Sequence, residues 1–165
     1  MDYNRAASFW TEHDKTAVKM PAAELRAEIE NFIKARTTCA LAVASGDFVR
    51  CTPLSYKYHA GKFALFSEGG LKFRALKENN HAALAVCDEY KGPGTAKGLQ
   101  VTGIAEVLGP DDADYAPRLE ALGINAAHMQ KLELILILIT PQEFEYIDSA
   151  LRDRGYSPRQ HLAFS

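Results

Sequence analysis

The sequence has little of what most recognisable chemistries require. Its three cysteines, Cys39, Cys51 and Cys87, are an odd number, widely separated and without paired spacing. That predicts no disulfide framework and no thiolate metal knuckle, so they read as small buried hydrophobes in a reducing compartment. The five histidines, His13, His59, His81, His128 and His161, are scattered with no His-x-x-x-His pair, which argues against a metal site. There is no Gly-x-Ser-x-Gly elbow and no Gly-x-x-x-x-Gly-Lys-Ser/Thr loop, which excludes the nucleophile-elbow hydrolases and the P-loop NTPases. The longest apolar run, "LILILI", falls far short of the roughly 18 residues of a membrane span. The opening "MDYNRAASFW" carries no apolar signal core, so export is not expected and the cytoplasm is the default. Neither sign of charge dominates: 19 basic and 21 acidic residues leave a net −2, no footprint for nucleic acid or an acidic membrane.

What is present is an ordinary globular composition, 47% hydrophobic over 165 residues, enough for one domain with a real core. "RAASFWTEHDK" predicts a short helix with Phe9 and Trp10 inward. "MPAAELRAEIENFIKART" predicts a second, with Pro21 at its first position and Leu25, Ile29, Phe32 and Ile33 at helical spacing. After Arg36 the period changes to that of strands: "TTCALAVAS", then "FVRCTPLSYKY" and "KFALF" around a "HAGK" hairpin turn. "HAALAVCDEY", "LQVTGIAEVLG", "KLELILILIT" and "QEFEYIDSA" follow, the last two broken at Thr140-Pro141, and Gly103 suggests a bulge. "DDADYAPRLEALGINAAHMQ" predicts one or two helices capped by Asp111 or Asp112. The polar end, "LRDRGYSPRQHLAFS", predicts a loosely packed tail. Six or seven strands on short links favour antiparallel pairing, hence a mainly β barrel with peripheral helices. The expected layout is helices over 1–36, barrel over 38–148 and tail over 149–165.

Three segments stand out as ligand-like. In "VRCTPLSYKY" an arginine sits among apolar strand residues, so Arg50 either meets an anion or lies on an exposed edge. Pro53 marks an edge, a bulge or a place where a ligand meets the backbone. In "SEGGLKFR" Ser67, two glycine amides and Lys72 offer donors to an anion, a phosphate first of all; a plain turn is the other reading. "KGPGTAKG" is either a side-chain-free surface for a flat ligand or a surface loop.

In this order and spacing, "TCALAVASGDFVRCTPLSYKY", "FALFSEGGLKFRALKENNHAALAV" and "GPGTAKGLQVTGIAEV" resemble the pyridoxamine 5′-phosphate oxidase-like, FMN-binding split-barrel superfamily. The resemblance implies an antiparallel, Greek-key-like split β-barrel and a homodimer with FMN at the subunit interface. It places Arg50 on the flavin ribityl or phosphate, and Cys51, Thr52 and Pro53 on the strand beneath the ring system. It places Ser67, Leu71 and Lys72 on the phosphate-binding turn, and Gly94, Thr95 and Gln100 where they reach the flavin from the partner chain. Tyr56, Tyr58, Leu54 and the "GPGT" backbone are expected to form the apolar slot, with redox chemistry supplied by the cofactor. The implied activity is electron transfer from NAD(P)H to a small acceptor; a non-enzymatic flavin or haem carrier or sensor, or a deazaflavin enzyme, are the alternatives. True pyridoxamine phosphate oxidases close their site with a C-terminal tryptophan and arginine. Here the one tryptophan is Trp10, and Arg152, Arg154 and Arg159 do not reproduce the pattern, so oxidation of B6 vitamers is not implied.

Overall fold

The structure is a computed structural model that describes residues 1–164. Two helices, α1 (Tyr3–Asp14) and α2 (Ala22–Lys34), lead into β1 (Thr38–Ser45), β2 (Phe48–His59) and β3 (Lys62–Ser67). A five-residue helix α3 (Lys72–Leu76) joins β3 to β4 (His81–Cys87), and a loop leads to β5 (Lys97–Leu108). Then come α4 (Tyr115–Ala121), α5 (Ala126–Lys131), β6 (Ile135–Asp148), a 3₁₀ turn over Ser149–Arg154 and β7 (Arg159–Ala163).

All strand pairings are antiparallel, in the order β3-β2-β1-β4-β5-β6-β7, and β3 also pairs with β6. Six strands therefore close into a barrel. The run β3-β2-β1 with β4 beside β1 is the Greek-key order. The β2–β3 link is a two-residue turn with Ala60 and Gly61 both at positive φ (48° and 77°), which matches the twist of the flanking strands.

Period-two alternation fills the barrel. In β4, Ala82, Leu84 and Val86 are buried while Ala83 and Ala85 face outward. The "LILILI" run breaks this rule because both its faces are covered. Ile137 and Ile139 join the barrel core, and Leu136 and Leu138 pack with Tyr115 and Leu119 beneath α4 and α5. α2 buries Leu25, Ile29, Phe32 and Ile33, as its spacing predicts. No helix among the described residues is long and apolar enough to cross a membrane.

Six local expectations fail. β6 runs unbroken through Thr140-Pro141. Pro141 lies opposite Gly103 at a register shift between Thr102 and Gly103, where a bulge relieves it of a ladder bond. The segment after Asp148 is not loose. β7 pairs along β6, Leu151 is buried, and Gln160, 1% exposed, ties both ends of the chain together. Its Oε1 accepts from the Met20 amide at 3.0 Å, and its Nε2 donates to the Val18 and Ser157 carbonyls at 3.1 and 2.6 Å. α1 buries nothing, and Phe9 and Trp10 are each 49% exposed, because α2 already covers the core. Pro21 sits one residue earlier than expected, at the N-cap. Neither Asp111 nor Asp112 caps α4: Asp114 holds that position, and Asp112 Oδ2 instead accepts from the Gly109 amide at 2.6 Å. Of the cysteines only Cys39 is buried, its thiol pKa pushed up to about 12 by desolvation, while Cys51 and Cys87 alternate onto the outer face.

Candidate functional site

β3 ends at Ser67, which is buried, and the chain turns through Gly69 and Gly70 at φ 140° and 110°. Few residues but glycine hold such backbone, and it brings Lys72 back under the turn. The Ser67 hydroxyl donates to the Gly69 carbonyl at 2.9 Å and accepts from the Gly69 amide at 3.1 Å, which fixes the bend. Lys72 is only 5% exposed, and its Nζ donates to the Gly69 carbonyl at 2.5 Å.

Burial first, and then the positive charge of Arg50, holds the Lys72 pKa below its ordinary value. Arg50, an exposed residue near the start of β2, acts on Lys72 as a nearby positive charge. Among the described residues neither cation pairs with a carboxylate. A nearly buried ammonium whose partner is one carbonyl, beside a second cation, is an unfavourable arrangement by itself. An anion between them relieves both the repulsion and the desolvation. α3 is too short for its dipole to add much, so the side chains and glycine amides carry this cradle.

Of the ten residues expected at the site, the structure gathers Arg50, Ser67, Leu71 and Lys72 at this corner, with Leu71 59% exposed at its rim. Cys51 and Pro53 open outward from β2, and Thr52 is half-buried on the inner side. Cross-strand register sets them in rows: Cys51 beside Ala42 and then Ala83, and Pro53 beside Ala40, Ala85 and then Gln100. The rows form a flat outer face of small side chains across four strands. Leu54, Tyr56 and Tyr58 do not form a slot with it. They pack with the barrel core, and the Tyr56 hydroxyl donates to the Ile33 carbonyl at 2.8 Å. Strand alternation turns them away from Cys51 and Pro53.

Gly94 and Thr95 lie elsewhere. Their loop leaves β4 at the end of the sheet where β1 begins, whereas Arg50 pairs with Val43. Five residues of strand, about 17 Å, separate the two. Thr95 Oγ1 closes the loop on itself, accepting from the Lys91 amide at 2.9 Å and donating to the Gly92 carbonyl at 2.8 Å.

Two groups escaped the sequence reading. Asn79 binds the Ala44 carbonyl at 2.8 Å through Nδ2 and accepts from the His81 amide at 3.1 Å, fixing α3 to β1 and β4. The Arg159 guanidinium stacks 4.7 Å from the centre of the Trp10 ring, an encounter between opposite ends of the chain. No local pattern announces it.

Residues 25–148 match the family model described as pyridoxamine 5′-phosphate oxidase. The chain belongs to that family. Solved structures share its fold at low identity. A FAD-binding protein from Mesorhizobium loti is 23% identical, with a TM-score of 0.55, over 72% of this chain and 89% of that one. HutZ, a haem storage protein from Vibrio cholerae, is 17% identical with a TM-score of 0.53, over 70% and 88%. A haem-binding protein from Mycobacterium smegmatis is 16% identical with a TM-score of 0.61, over 88% and 59%. No curated protein matches the chain significantly. At such identities these likenesses establish the barrel and leave its ligand open.

Proposed function

We propose that the protein is a cytoplasmic, homodimeric FMN-binding oxidoreductase that passes electrons from NAD(P)H to a small acceptor. The observation that carries this reading is the pair of uncompensated cations, buried Lys72 beside Arg50, at a turn of glycine amides. These residues fit a phosphate monoester: two positive charges beside the Gly70 amide suit a dianion, while the Ser67 hydroxyl and the Gly69 amide hold the turn in shape. The flat outer face of Cys51, Pro53, Ala40 and Ala42 suits a planar ring system, whose redox chemistry FMN supplies when bound. The chain itself anchors the phosphate and presents a surface free of bulky side chains.

The dimer is part of the same reading. A small-residue sheet face left open in one chain is suited to a second copy. Gly94 and Thr95, remote from Lys72 in one chain, reach a flavin most simply across such an interface, and Gln100 stands in the Pro53 row of that face. The protein purified from a flavin-replete host is therefore expected to be yellow, with flavin absorption bands and one FMN per chain. A colourless protein that also fails to bind added FMN would overturn the proposal.

Haem is the second reading, favoured by the haem-binding relatives of the same fold. It predicts a Soret band on reconstitution with haemin, and tighter binding of haemin than of FMN. Stopped-flow mixing of the FMN-loaded protein with NADH or NADPH separates enzyme from carrier, since a carrier shows no acceptor-dependent cycling.

A further inference from the structure

A second cavity, of about 430 Å³, opens where β4, β5 and β6 meet the loop before β5. Its size suits a small organic molecule. Four charged side chains line it, and each is already paired within the protein. Asp88 meets Arg36 at 2.5 Å, Lys97 meets Asp148 at 2.6 Å, and Glu145 meets Arg159. The remaining wall is uncharged, with Ala85, Ala96, Leu99 and Ile147 prominent. A charged ligand entering here loses hydration and finds no free countercharge. Gln100 also lines the cavity, its side chain exposed and without a hydrogen-bond partner among the described residues. Its carboxamide offers a donor to a carbonyl oxygen. The cavity adjoins the Pro53–Ala40–Ala85–Gln100 row, the strip proposed above for the flavin ring.

We infer that this cavity is the acceptor subsite and takes a neutral, flat, carbonyl-bearing ring compound of the quinone class. Its redox role rests on the flavin reading; its ligand preference does not. In turnover NAD(P)H would give up a hydride, that is two electrons and a proton; bound FMN would supply the redox relay, and the quinone would take up both electrons and that proton. With one further proton from water the quinone leaves as hydroquinone, and NAD(P)⁺ is released.

Isothermal titration calorimetry on the purified protein tests the preference. The neutral probe is duroquinone, fully substituted and so unable to arylate Cys87; the anionic probe is 2-naphthalenesulfonate. Duroquinone is expected to bind at least about tenfold more tightly, the scale of one uncompensated polar contact. Ile147→Lys, which adds an unpaired cation, should reverse that order. Ala96→Trp, a loop change that fills the cavity, should abolish duroquinone binding with an unchanged melting temperature. Equal affinities in the wild type, or duroquinone binding unmoved by Ala96→Trp, overturn the inference. A yellow protein with equal affinities rejects the subsite alone. A colourless one that still prefers duroquinone rejects the flavin and keeps the cavity.

Discussion

At the residue scale the molecule turns on Lys72. Its ammonium is desolvated and repelled by Arg50, so its charged form is held at a cost that an anion removes. Lys72→Ala is expected to weaken FMN binding by about 1.5–3 kcal/mol, the scale of a lost charge-assisted hydrogen bond, as read by flavin fluorescence titration. The pH dependence has two limbs of known sign. Affinity falls as pH rises through the lowered Lys72 pKa, because the cation is lost. It also falls below about pH 6, where the phosphate gives up its second charge. Lys72→Arg, whose guanidinium stays charged, should keep the acid limb and remove the alkaline one. An alkaline limb that survives in the arginine variant places the titrating group elsewhere.

At the element scale two features hold the barrel in register. A Cβ on Gly103 would lie 2.6 Å from the Thr140 carbonyl oxygen, a contact with backbone that cannot swing aside. Gly103→Ala is therefore expected to cost about 1–3 kcal/mol, measured by urea unfolding. Gln160→Ala would strip the buried Met20 amide and two partly buried carbonyls of their partner, a loss of about 1–3 kcal/mol, read in the same experiment. The sequence made much of this architecture legible. α2, the "HAGK" hairpin and the Gly103 bulge all follow from period and turn chemistry. Pro141 misled because its tolerance depends on the glycine facing it, and the chain after Asp148 misled because β7 folds back along β6 and Gln160 finds Met20 and Val18 some 140 positions earlier. Site legibility divides along the same line. Arg50, Ser67 and Lys72 are joined by adjacent strands and one turn, so motif spacing captures them. Trp10 against Arg159 is a product of closure, invisible to any window. Tyr56 and Tyr58 were assigned to a slot on aromatic character alone, although strand parity already pointed them inward.

At the scale of the whole molecule the flat outer face is the surface on which the proposed dimer would form. Ala42 and Ala83 are register partners near its middle. Ala83→Arg places a hydrated charge there without touching the barrel core. The variant is expected to run as a monomer in light scattering while the wild type runs as a dimer, and to lose FMN in step. A monomeric variant that keeps full FMN affinity would show that the flavin needs one chain only.

The Gln160 clasp also bears on how the protein is made. β3 meets β6 about 70 residues away in sequence, so the barrel stays open on the ribosome until β6 has emerged. The segment around Met20, although synthesised early, waits for Gln160, 140 residues later, before its amide is satisfied. Contacts of such long range form slowly, and domains beyond a hundred residues pass through partly closed states. Through that interval the outward alanine rows and the unpaired edge of β6 are both exposed. What covers the open edge of β6 is β7, pairing along Glu143–Ile147.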